Sequence, residues 1–213
     1  MPWLKSAIRC KFRIMNSRKE KKALSQINTT IDAVAKSLKK LKKGNAHLTY
    51  IIYNATLYYL LAMRDIQIVK IDAIAHKDAS VRKLSIRIIT LTVGELDISK
   101  VTGKCFNEAL KELKISDDLV DEVHRSLRSL RKAQQKAQNN YKELRTNVIA
   151  HRDKDSLRQY ELIEKIDEQL ILKLGFDFFE EMKVVSNLLT KCFIASSNMN
   201  SLIIQAVKNM EDQ

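Results

Sequence analysis

Apolar side chains recur every three to four residues along most of the chain, the spacing that lines one face of an α-helix. Ile27, Ile31, Val34, Leu38 and Leu41 form one such stripe and predict a helix over residues 17–42, ended by Gly44 and Asn45. Residues 46–75 open almost wholly apolar and predict a second helix whose first half is deeply buried; Tyr50, Tyr53, Tyr58 and Tyr59 within it read as core packing rather than as platforms for stacked bases. Ser80 is placed to cap a third helix reaching Glu95 or Leu96, and Ser99 a shorter one ending near Leu113.

A fifth pattern begins after the connection at 114–116, with Asp117, Asp118, Asp121 and Glu122 where a helix dipole favours acids. Val123, Leu127, Leu130, Gln134, Ala137, Tyr141, Leu144 and Val148 then alternate four and three apart, a seam that can pack on another helix of the chain or across a dimer. This is the longest helix the pattern predicts, and it runs to the polar break at 153–155. Ser156 with Gln159 has the form of a capping box and opens a helix through Leu174, which Gly175 kinks or ends. The apolar pattern resumes from Phe176 to Ile194, and a weak final segment follows at 202–207. The expected fold is all-α, a bundle of five to seven helices over residues 16–213. Residues 1–15 read as a separate basic amphipathic segment, a poorly ordered tail with Trp3, Leu4, Ile8, Phe12 and Met15 near helical spacing.

Composition agrees with helices, since one Pro and four Gly leave few turns. The net charge of +13 favours nucleic acid or another anionic surface as a partner without defining one. Arg125, Arg128, Arg131, Lys132 and Lys136 lie off the seam and make one helix face basic, either a solvated face or a guide for RNA. Cys10, Cys105 and Cys192 have no paired spacing, so neither zinc nor a disulfide framework is indicated and a reducing, cytoplasmic setting is expected. The most apolar run, 48–63, has 16 residues. A membrane span needs ~20, so no span is expected, and no secretory signal pattern is visible.

The chemistry concentrates in 141–153, which reads YKELRTNVIAHRD. Arginine can hold a phosphate through two parallel hydrogen bonds, and histidine moves protons at neutral pH. Arg145, Thr146 and His151, with Ala150 before the histidine and Arg152 and Asp153 after it, resemble the signature of the HEPN superfamily, most closely its AbiU-like abortive-infection branch. The chain departs from that pattern in carrying Thr146 where Asn or Asp is usual, with Asn147 next; the hydroxyl is kept and the amide or carboxylate lost.

The resemblance implies a HEPN-like helical bundle and a metal-independent endoribonuclease, a toxin or phage-defence effector that needs no cofactor. Arg145 and His151 would be catalytic, with Thr146, Asn147, Arg152 and Asp153 supporting them or holding phosphate. It also implies RNA as a partner, a homodimer, and an antitoxin or other protein partner. On an unbroken helix, residues six apart differ by about 240° and ~9 Å, so Arg145 and His151 converge only if the helix loosens or two protomers share the site. The alternative is a non-catalytic HEPN-like module that binds a protein partner or nucleic acid.

A second stretch echoes the first. Residues 70–78 read KIDAIAHKD and residues 145–153 read RTNVIAHRD, each at an expected helix end. A shared way of ending a helix accounts for the echo; the functional alternative makes Lys70 and His76 a second anion-binding locus.

Overall fold

The computed structural model describes residues 2–43, 46–144 and 155–197, with side chains at 18–42, 46–74, 76–142 and 155–197. The described residues are all-α: α1 (Pro2–Lys43), α2 (His47–Ala75), α3 (Ala79–Glu95), a 3-10 turn (Ile98–Lys100), α4 (Lys104–Glu112), α5 (Asp117–Leu144), α6 (Ser156–Glu164) and α7 (Glu168–Ser196). The longest element is α1, with 42 residues against 28 for the described α5, so the expectation about the longest helix is corrected. Residues 2–15 of the expected tail are helical too, continuous with the helix predicted from residue 17. Pro2 suits a first helical position, where its missing N–H is no loss, and neither Gly nor Pro interrupts the sequence from Trp3 to Lys43.

Two compact units divide the chain. Unit 1 comprises Met1–Asn28, Met63–Leu96 and Ala133–Phe179; unit 2 comprises Thr29–Ala62, Asp97–Lys132 and Glu180–Gln213. In unit 1, Ile66, Ile86, Ile89, Val93, Ala137, Tyr141, Leu174 and Phe178 are buried. Gly175 lies inside α7 rather than at its end, and a Cβ there would stand 2.7 Å from Ile89 Cγ2, so glycine lets α3 and α7 approach closely. The break expected at Gly175 falls instead at 165–167, where the Asp167 carboxylate accepts from Gln169 N and Leu170 N. In unit 2 the core includes Val34, Ile52, Tyr59, Phe106, Leu110, Leu127, Leu130, Met182 and Leu189. Tyr59 is wholly buried and Tyr53 nearly so, as their place in an apolar run predicts.

Caps explain most joints. Asp78, not Ser80, caps α3, its carboxylate accepting from Ser80 N at 2.7 Å. Asp97 caps the 3-10 turn by accepting from Ser99 N and Lys100 N, so the helix expected from Ser99 starts only at Lys104. Asp155, not Ser156, caps α6. Lys114 closes α4 at a positive φ of 51°, with Ile115 N donating to Leu110 O and Lys114 N to Lys111 O. No helix among the described residues is long and apolar enough to cross a membrane.

Candidate functional site

Arg145, Thr146, Asn147, His151, Arg152 and Asp153 lie outside the described residues. What is described are the two ends that hold them, both in unit 1. On the α5 side, Gln134 Nε2 donates to Val93 O at 2.9 Å and Leu96 O at 2.7 Å, and Gln138 Nε2 to Gly94 O at 3.0 Å. These amides satisfy carbonyls at the C-terminal end of α3 that have no intrahelical donor. One turn on, Tyr141 is buried, and its hydroxyl donates to Ile171 O of α7 at 3.4 Å. Burial, then the nearby Asp177 charge, pushes the phenol far above its ordinary value, so it stays protonated and donating. Beyond the motif, the Asp155 carboxylate accepts from Leu157 N and Arg158 N at 3.1 Å each and starts α6. That helix buries no residue fully; Lys83 of α3 ties it down through Glu164 at 2.9 Å. The described flanks of the motif thus differ in burial: Tyr141 is buried on the α5 side, and no residue of α6 is.

Most of the described seam of α5 is consumed within the chain, and Leu144 and Val148 lie outside the described side chains. Val123, Leu127, Leu130, Ala137 and Tyr141 are each at most 3% exposed, so they are not free to form the face of a dimer. The opposite side is basic. At 100° per residue, Arg125, Arg128 and Lys132 fall within an arc of about 60°, across the helix from Val123, Leu127 and Leu130. All three are exposed, and none forms an ion pair with a carboxylate among the described residues. Lys136, on the unit 1 portion of α5, is exposed in the same way.

The second anion locus is corrected. Lys70 is 8% exposed, and its ammonium sits 3.1 Å from Glu20 Oε2, 4.6 Å from the centre of the Phe176 ring and 5.2 Å from that of Phe179. A lysine neutralised by a carboxylate and covered by two aromatic faces has no charge left for a phosphate. Gln67 completes the cluster by donating from Nε2 to Glu20 O at 3.0 Å and Glu20 Oε2 at 2.6 Å. Burial works against ionising Glu20, but the hydrogen bonds from Gln67 and Lys70 and the lysine charge outweigh it and hold the carboxyl below its usual value. His76 is a turn residue: its Nδ1 accepts from Asp78 N at 3.1 Å. Arg82 then caps this helix end, donating to His76 O at 3.2 Å and Lys77 O at 3.0 Å and pairing with Glu168 at 3.3 Å. The Ile-Ala-His-basic-Asp run at 74–78 is therefore a device for ending α2 and starting α3.

Among the described residues, no group of three or more His, Cys, Asp or Glu side chains is placed to hold a metal ion. No family model, curated protein or solved structure matches the chain.

Proposed function

We propose that the chain is an endoribonuclease of the HEPN type, cleaving RNA by attack of a ribose 2′-OH without help from a metal. The observation that carries the reading is the sequence RTNVIAH at 145–151, directly after a helix whose exposed Arg125, Arg128 and Lys132 have no carboxylate partner among the described residues. The all-α architecture is compatible with it, and the net charge of +13 favours a polyanionic substrate.

In this reaction a base removes the 2′-OH proton as the oxygen bonds to phosphorus. The bond from phosphorus to the 5′-oxygen breaks, and a proton returns to that leaving oxygen. The products are a 2′,3′-cyclic phosphate and a 5′-hydroxyl, with no external reactant consumed. His151 carries the proton at one of these steps, and a positioned acid or base of this kind contributes ~100-fold to 10,000-fold. Arg145 faces the charge that builds on the phosphoryl oxygens, where a fixed cation adds a comparable factor. A substrate-borne 2′-OH as nucleophile makes RNA the substrate and leaves DNA intact. If two protomers share the site, they do not meet through Val123, Leu127, Leu130, Ala137 and Tyr141, which are buried.

The test is purified protein on mixed RNA in the presence of a chelator. We expect cleavage to cyclic phosphate ends, lost in Arg145→Ala and His151→Ala and partly kept in Arg145→Lys, since an ammonium lacks the planar fork. Unchanged cleavage by well-folded Arg145→Ala and His151→Ala proteins removes the proposal. RNA binding with no cleavage by the wild-type protein points to the non-catalytic binding module instead.

A further inference from the structure

Unit 2 contains an open groove of about 570 Å³, lined by the turn at Ser99 and Thr102, by one face of α4 and by Arg131 of α5. This volume lies within the range of ligand clefts, roughly 300–1,000 Å³. Its charges are unbalanced. Lys104, Lys111 and Arg131 all line it, against the single carboxylate of Glu108, which pairs with Lys104 at 3.7 Å. Lys111 and Arg131 are exposed and have no carboxylate partner among the described residues. Two cations are left over in one cleft.

The neutral groups in the groove are hydrogen-bonding ones. Asn107 Oδ1 and His124 Nε2 lie 2.9 Å apart, an arrangement that gives the oxygen to the histidine and leaves the amide N–H groups of Asn107 as donors. Gly103 precedes α4 without a side-chain cap, so the first N–H groups of that helix add to the donors of this wall. Among the described residues no aromatic side chain lines the groove, so it lacks a ring on which a nucleobase would stack. A free nucleotide bound by its base is the wrong ligand for such a surface; a strand gripped by its phosphates is the right one. On α5, Arg128 and Lys132 flank Arg131 and extend the positive surface beyond the groove.

We infer that this groove of unit 2 is a binding site for the phosphodiester backbone of single-stranded RNA, read without regard to base. The choice of RNA rests on the ribonuclease reading above, whereas the phosphate chemistry rests on the groove alone. Lys111 and Arg131 supply the two free charges, Lys104 a third as Glu108 is outcompeted, and Thr102, Ser99 and Asn107 provide neutral contacts.

The experiment uses the full chain and single-stranded RNA methylated at every 2′-oxygen, which cannot be cleaved through its own 2′-OH, with affinity followed by fluorescence anisotropy from low to high salt. Every phosphate that a variant no longer neutralises makes the slope of log affinity against log salt shallower by about 0.7. The triple variant Lys104→Ala, Lys111→Ala, Arg131→Ala is expected to reduce that slope by about 2 and to bind at least tenfold more weakly at low salt. A matched variant, Lys36→Ala, Lys39→Ala, Lys40→Ala, removes the same charge from exposed positions of α1 and is expected to keep the wild-type slope. Circular dichroism establishes that both are folded.

Equal slopes for the two triple variants overturn the inference. So does a polyglutamate peptide that binds as tightly as RNA and is released only by the groove variant, because the groove then serves an acidic protein segment. Groove-dependent binding of methylated RNA alongside intact natural RNA leaves the groove standing and removes the nuclease. Cleavage that survives with no groove-dependent binding does the reverse.

Discussion

The two units fasten their helices with different chemistry. In unit 1 the long-range polar contacts include charged pairs: Lys70 with Glu20, Arg82 with Glu168, and Lys83 with Glu164. In unit 2 hydroxyls do much of this work. Tyr59 donates to Ile98 O at 3.0 Å and Tyr58 to Asp97 O at 3.1 Å, Thr49 to Ser196 O at 3.1 Å, and the Tyr53 and Ser197 hydroxyls meet at 2.8 Å. The difference matters for what remains available. Unit 1 commits Lys70, Arg82 and Lys83 to pairs between its helices, whereas in unit 2 Lys111, Arg125, Arg128, Arg131 and Lys132 are exposed with no carboxylate partner among the described residues.

The strongest way to break the contrast is to remove one member of the buried pair. Losing one partner of a buried ion pair costs about 3–5 kcal/mol. Because a fifth of the Glu20 side chain remains exposed, we expect Glu20→Ala to cost ~2–3 kcal/mol in urea denaturation, with most of it regained when Lys70→Met is added. Acid should reproduce the effect. The carboxyl titrates below its ordinary value of 4.5 in the folded chain, so its contribution is complete above that pH and is lost as pH falls through the lowered value. A Glu20→Gln protein should show a shallower loss of stability in this range than the wild type.

A smaller effect is expected where unit 1 is packed most closely. Gly175→Ala gains about 1 kcal/mol of helix propensity but drives a methyl against Ile89, and overpacking of a core costs ~1–3 kcal/mol. We expect a net loss of ~1 kcal/mol in chemical denaturation. A stabilised variant would mean that Ile89 gives way and that the approach of α3 to α7 does not require glycine.

The smallest change at neutral pH should come from Tyr59→Phe, ~0.5–1 kcal/mol, since Ile98 O keeps a second donor in Thr102 Oγ1. At high pH the same residue becomes informative. Burial pushes its phenol up to about 12 from an ordinary value of 10, so its stabilising share is complete below pH 10 and is lost between pH 10 and about 12. Thermal melts across that window should fall less steeply for Tyr59→Phe than for the wild type. Parallel curves would mean that the hydroxyl network of unit 2 is not what alkali attacks.

Local pattern made the helices legible, and contacts distant in sequence decided what was not. Ser80 and Ser156 each look like a cap, but in each case an aspartate at or just before the joint reaches the free N–H groups with its carboxylate. Gly175 looks like a breaker because its partner, Ile89, is 86 positions away, and only that proximity explains a buried glycine within a helix. Lys70 looks like a free cation beside a histidine; Glu20, Phe176 and Phe179, which occupy it, come from the other ends of the chain. The seam of α5 was visible, but periodicity does not distinguish a partner helix in the same chain from one in a second copy. The groove had a faint signal in Lys104, Glu108 and Lys111, which share one face of α4, and none in Arg131, whose place in it depends on how α5 packs.

The cysteines offer a spectroscopic address. Cys105 is exposed on the first turn of α4, next to Lys104 of the groove, while Cys192 is buried and its thiol is pushed up to about 11 by that burial. At neutral pH a maleimide dye should therefore discriminate between them, since burial both hides the Cys192 thiol and keeps it protonated. With Cys10 replaced by serine, the chain carries a single-site reporter beside the groove, whose emission can register an arriving strand in real time without any cleavage having to occur.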